Sequence, residues 1–205
     1  MPKRVNHGER RESIAQAMWR IVDEQGWERA TLREVAREAG VSLGHVQHYF
    51  TSRSEMLTFA MEAAAEMTSA RVADGIAALP RPPHPRDVLA VVLAEMLPLQ
   101  PETRKMSRMN AAYVLEALHD DDVRRRAGIG MRDGRSMVER LIRQAIADGQ
   151  VSADRNPIVE TDLTLALTGF APLLEFGVIE PPAVLAAIDL HLDRLFSPVE
   201  AEHRE

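Results

Sequence analysis

The stretch Thr31–Phe50, TLREVAREAGVSLGHVQHYF, decides how the chain is read. Its first half has helical period. Leu32, Val35, Ala36 and Ala39 share one face, Thr31 with Glu34 three residues later forms a capping box, and Gly40 stops the segment. Ser42 then caps a second short helix. In it Val46 and Phe50, four apart, can bury against Val35 and Ala39, while Gly44, His45 and His48 lie opposite, flanked by Gln47 and Tyr49. A small apolar anchor on one side and a free face of donors and acceptors on the other describe the second half of a helix-turn-helix. Gly44 near the helix start lets the backbone come close to a partner.

Such a crowd of rings has other readings. His45 and His48 have an i, i+3 spacing that suits a metal, but no third ligand stands nearby and the chain has no cysteine. Ser42 beside His45 lacks the strained elbow and oxyanion glycines of a nucleophilic serine. No carboxylate pair has a catalytic motif around it, so the expectation is a non-enzyme with no metal and no cofactor. A surface that reads base edges and phosphates is the remaining answer.

Upstream, ESIAQAMWRIVDEQG places Ile14, Met18, Ile21 and Val22 on one stripe that Gly26 ends. SRSE, Ser52 to Glu55, is a second capping box and opens a long fourth helix. LPRPPHP, Leu79 to Pro85, cannot be helix interior, because each proline lacks an N–H donor. Further helices are expected at about 86–97, 102–118, 121–149, 157–177 and 182–196, with a kink or short break at Gly128, Gly130 and Gly134. No strand pattern appears. The fold class is all-α: an N-terminal three-helix DNA-binding domain over 1–51, with an arm at 1–9, and a larger C-terminal regulatory and dimerisation domain over 52–205, the fourth helix connecting the two from residue 52.

Charge divides along the chain in the same sense. The net charge of −6 hides a segment 1–55 with nine Lys or Arg against eight acids, and a segment 56–205 with sixteen against twenty-three. A slightly basic head on an acidic body fits a polyanion partner for the head. No run reaches the roughly 18 apolar residues that span a bilayer, and no secretory signal opens the chain, so a cytoplasmic protein without membrane contact is expected.

TLREVAREAGVSLGHVQHYFTSRSEML resembles the DNA-binding signature of the TetR family of bacterial regulators, and LPLQPETRKMSRM with IDLHLDRLF resembles its BetI-like branch. The resemblance implies a homodimer on a palindromic operator, a repressor released by a small-molecule effector. It places Thr31 on phosphate, Ser42, Gly44 and His45 toward bases, and His48 and Tyr49 on the DNA backbone. Arg33, Leu43, Gln47 and Arg53 complete the expected DNA-binding set. The chain departs from the family pattern at Leu43, where many members have Lys, at Gln47, where many have an aromatic, and at Arg53, where a Lys is usual. Gln47 could pair with adenine.

The body must supply a cavity and a dimer face. Met106, Met109 and Tyr113 share one helix face in a methionine-rich half, and Met side chains adapt to irregular apolar shapes. With Asn110 as the polar contact, and Met67, Met137 and Phe170, they are the candidate ligand residues. A plain core is the alternative use of these side chains, as it is for Trp19. The last two helices have broad apolar faces, from which Leu165, Gly169, Leu173, Leu185, Ile188, Leu192 and Leu195 are the candidate dimer contacts. The rival reading is a helical small-molecule-binding protein that has lost specific DNA recognition.

Overall fold

The computed structural model describes residues 7–197, and every regular element among them is helical. The helices are α1 His7–Gln25, α2 Leu32–Glu38, α3 Leu43–Tyr49, α4 Arg53–Ala77, α5 Pro85–Glu95, α6 Pro101–Ala117, α7 Asp121–Ala147, α8 Pro157–Ala166, α9 Ala171–Glu175 and α10 Pro181–Phe196. Of the arm expected over 1–9, residues 1–6 lie outside the described residues, and α1 already begins at His7. The chain forms two compact units. One joins the residues up to 69 with 104–129; the other joins 70–103 with the residues from 130 onward.

In the first unit Ile14, Met18 and Ile21 of α1, Val35 of α2, Val46 and Phe50 of α3, and Met56 and Leu57 of α4 are all but inaccessible and form one core. Met109, Ala112 and Tyr113 of α6 and Val123 of α7 close the same core. The indole N–H of Trp19 donates to the Ala60 carbonyl at 3.2 Å, and Arg108 of α6 pairs with Asp23 of α1 at 2.9 Å. Gly26, at φ 85°, and Gly40, at φ 67°, end α1 and α2 at positive φ, which glycine adopts without a Cβ penalty.

The second unit packs α5, the latter part of α7 and α8–α10 around Leu89, Leu93, Leu97, Val138, Ile142, Leu174, Val184 and Ile188. The proline segment ends α4 and supplies the start of α5, where His84 Nδ1 accepts from the Arg86 N–H at 3.2 Å. Arg86 also reaches Asp193 at 2.6 Å and Asp189 at 3.2 Å, tying α5 to α10.

Three expectations change here. First, α7 runs from Asp121 to Ala147 without a break. Three glycines cost it roughly 1 kcal/mol each, but Val138, Ile142 and Ala145 bury its inner face, and Glu139 binds Arg135 and Arg143 one turn to either side. Second, the helix expected over 157–177 is interrupted by a tighter turn at Leu167–Phe170. Pro172 has no N–H, and its ring crowds the carbonyl four residues back, so the preceding turn cannot stay α-helical. Third, Ile188, Leu192 and Leu195, expected on a dimer face, are each at most 2% exposed within their own unit. The stripe of α10 points inward because Leu89 and Leu93 of α5 and Val184 of α10 itself belong to the same core.

Candidate nucleic-acid interface

Both short helices of the head are held by hydroxyl caps. Thr31 Oγ1 accepts from the Glu34 N–H at 3.2 Å, and Ser42 Oγ accepts from the His45 N–H at 3.1 Å. Each hydroxyl keeps its own proton to donate, and both residues are exposed. The second half of the Thr31 box does not close, because Glu34 binds Arg37 at 2.7 Å instead, which holds its carboxyl below the usual range. After α3, Ser52 Oγ accepts from Glu55 N–H at 3.0 Å, and the Glu55 carboxylate receives the Thr51 N–H at 2.7 Å.

With Val46 and Phe50 sealed into the core, the other side of α3 is open: Gly44, Gln47 and His48 are exposed, and Leu43 is half-buried. A Cβ added at Gly44 would meet no atom within 4 Å, and its φ is not positive. Nothing in the chain's own packing requires glycine there. Tyr49 stands between the two imidazoles, edge-to-face with His45 at 5.3 Å and with His48 at 5.1 Å. His45 is half-buried, and its Nε2 is enclosed without a hydrogen-bond partner among the described residues. Its ring edge is thus less available than that of His48.

The cations divide sharply. Arg33 is exposed and makes no ion pair among the described residues. Arg53, expected in the DNA-binding set, lies half-buried over the Trp27 ring, 3.5 Å from its centroid, and donates to the Trp27 carbonyl. Burial lowers its guanidinium pKa from the ordinary value, opposed by Glu116 and Glu28. Nothing in the sequence marked this pairing, since Trp27 precedes Arg53 by 26 positions and lies on a separate short turn, Trp27–Arg29. A second unforeseen contact joins Ser54 Oγ of α4 to the Glu116 carboxylate of α6 at 2.7 Å.

The candidate ligand residues fall into both units. Met109 and Tyr113 fill the core beneath the head, Met106 is half-buried, and Met67 and Asn110 are exposed. Burial raises the Tyr113 phenol pKa, and a hydrogen bond with Thr58 opposes that shift. Met137 and Phe170 pack against the core of the second unit. Of the candidate dimer residues, Gly169, Leu173 and Leu185 are exposed and Leu165 is half-buried. Ile158, Val159 and Leu163 of α8, Leu190 of α10 and Phe176 after α9 are also exposed apolar groups. Periodicity could not single them out, because these helices are apolar on more than one side.

Residues 14–58 match the family model for bacterial regulatory proteins of the tetR family, and residues 85–197 match the model for the C-terminal part of BetI-type transcriptional repressors. The HTH-type transcriptional regulator PksA of Bacillus subtilis is 39% identical over 123 residues, 60% of this chain and 58% of its own length. A TetR transcription regulator of Haloarcula marismortui superposes with a TM-score of 0.78 at 19% identity, covering 92% of this chain and 98% of its own. A Saccharomonospora viridis protein solved in complex with choline gives a TM-score of 0.76 at 17% identity, covering 92% and 95%. At these identities the two structures are alike in fold.

Proposed function

Since the chain belongs to the TetR family of bacterial regulatory proteins, we propose that it is a DNA-binding transcriptional regulator, a homodimeric repressor that a small molecule releases from a palindromic operator. The observation that carries the reading is the outer side of α3. Gly44, Gln47 and His48 are open to solvent there, and Gly44 has space around it that the fold does not use. A helix that presents amides, rings and a bare backbone position is suited to the major groove.

In this reading Arg33, Thr31 and Ser42 hold phosphates, Gln47 and His48 meet base edges or backbone, and His45 with Tyr49 fixes the ring cluster. Arg53 supports the head through Trp27. Two copies associate through the exposed apolar groups of α8 and α10, Leu163 and Leu185 among them. Dimerisation then fixes the spacing of the heads, which must match about 34–36 Å between half-sites. The choline complex of the Saccharomonospora protein supports a small organic effector as the releasing ligand. A ligand that displaces α6 would act on the head inside the first unit, through Ser54–Glu116 and Arg108–Asp23.

Selection from random duplex DNA tests the proposal. The expected result is an enriched palindrome, bound at least about 10³-fold more tightly than a scrambled duplex at physiological salt. Enrichment of nothing, with only steeply salt-dependent binding, would leave a small-molecule-binding protein without a specific site.

A further inference from the structure

The last turns of α4 have two different sides. Arg71 and Gly75, four apart, are turned to α5. Arg71 pairs with Glu95 at 2.7 Å, and a Cβ added at Gly75 would stand 2.7 Å from Val91 Cγ1. Gly75 thus lets the two helices approach closely along that line. By helical spacing Ala73, Ile76 and Ala77 fall on the opposite side of the same turns.

Together with Arg81, Pro82 and Pro83 of the connecting segment, these three residues line a groove of about 580 Å³ inside the second unit. That volume lies within the range of about 300–1,000 Å³ typical of small-molecule sites. Alanine, isoleucine and proline side chains offer no hydrogen bond, so five of the six lining residues present hydrocarbon alone. The sixth, Arg81, is exposed, and its guanidinium makes no hydrogen bond or ion pair with any described residue. No carboxylate stands among the lining residues to neutralise it.

Hydrocarbon walls beside an unspent guanidinium have a defined complement. The matching molecule carries an apolar body, which the walls take out of water, and a carboxylate, which the fork of an arginine binds in a bidentate manner. An organic cation would meet Arg81 as a like charge. We propose that this groove binds a small amphiphilic carboxylate, an acid with a hydrocarbon body. The site lies outside the DNA-binding head and stands without operator binding.

Isothermal titration calorimetry on the full chain, with hexanoate, octanoate, octan-1-ol and octylamine as probes, tests the site. Octanoate should bind with a dissociation constant at or below about 1 mM. Each methylene added between hexanoate and octanoate should tighten binding about twofold or more. Octanoate should bind at least about threefold more tightly than octan-1-ol, and octylamine more weakly than either. Arg81→Gln should bring octanoate down to the affinity of the alcohol. Ala77→Trp, a change at an exposed position, should fill the groove and abolish binding of both, with circular dichroism confirming the fold. Absence of octanoate binding to the wild type overturns the proposal. Binding that survives Ala77→Trp, or that Arg81→Gln leaves unchanged, overturns it as well. A wild type that sediments as a larger species than Ala77→Trp would assign the groove to a second copy of the chain and overturn it too.

Discussion

The guanidinium of Arg53 lies over the indole of Trp27, its central carbon 3.5 Å from the ring centroid, and donates to the Trp27 carbonyl. One interaction thereby joins the first turn of α4 to the short turn that follows α1. A residue of the expected DNA-binding set thus serves as a brace within the head.

If bracing is its role, Arg53→Ala should lower the stability of the protein by about 1–2 kcal/mol, the scale of a partly desolvated cation–π contact with its hydrogen bond. Trp27→Leu should cost a similar amount, and the double variant less than the sum. Urea denaturation measures all three. The slope of log affinity against log salt for DNA should remain that of the wild type in Arg53→Ala, because no phosphate contact is lost. A slope reduced by about one would put Arg53 on the DNA.

Gly44→Ala separates folding from binding. The space around Gly44 is open and its φ is not positive, so alanine should stabilise α3 by up to about 1 kcal/mol. The same methyl would stand between α3 and the groove floor, so affinity for the enriched duplex should fall at least about tenfold. Paired melting and binding curves check the opposite signs.

Leu163→Asp and Leu185→Asp should yield folded monomers, since both side chains are exposed in the single chain. Ile188→Asp should instead unfold the second unit, because a charge would be placed at a site only 2% exposed. Sedimentation velocity with circular dichroism distinguishes the outcomes. Dimers that persist in both leucine variants would move the interface elsewhere.

His191 makes the second unit sensitive to acid. Its Nε2 lies 2.9 Å from Thr164 Oγ1, joining α10 to α8, and burial pushes its pKa below the ordinary 6.5, with Glu160 opposing and Arg155 adding to the shift. The unfolded chain therefore binds the proton first. Stability should be full above about pH 6.5 and decline as pH falls from there toward the depressed folded value. His191→Gln keeps a hydrogen-bonding group but no titration, so it should flatten that decline. Thermal midpoints between pH 8 and pH 5 provide the comparison.

The head was legible in the sequence because its determinants are local. Thr31, Ser42 and Ser52 cap at the expected positions, Gly26 and Gly40 stop helices, and Val46 with Phe50 anchors α3. What could not be read depends on distant partners. Arg53 meets Trp27 across 26 positions, and Ser54 meets Glu116 across 62. In α10 the period identified a stripe correctly but not what lies against it, and α5 occupies that side. The uninterrupted α7 shows the same limit: glycine propensity is a small local cost, outweighed by burial supplied from elsewhere. Pro172 was a local signal, and it broke its helix as proline chemistry requires.

The first unit draws on two separated stretches of chain, and this bears on how it is made. Met109, Tyr113 and Val123 close the core under Met18, Val46 and Phe50. During synthesis the head cannot complete that core until the ribosome has released residues up to about 129. Exchange of operator specificity between relatives should follow the same boundary. A graft of the N-terminal segment alone would mismatch the α6 and α7 side chains beneath it, whereas one carrying residues 104–129 brings its own floor.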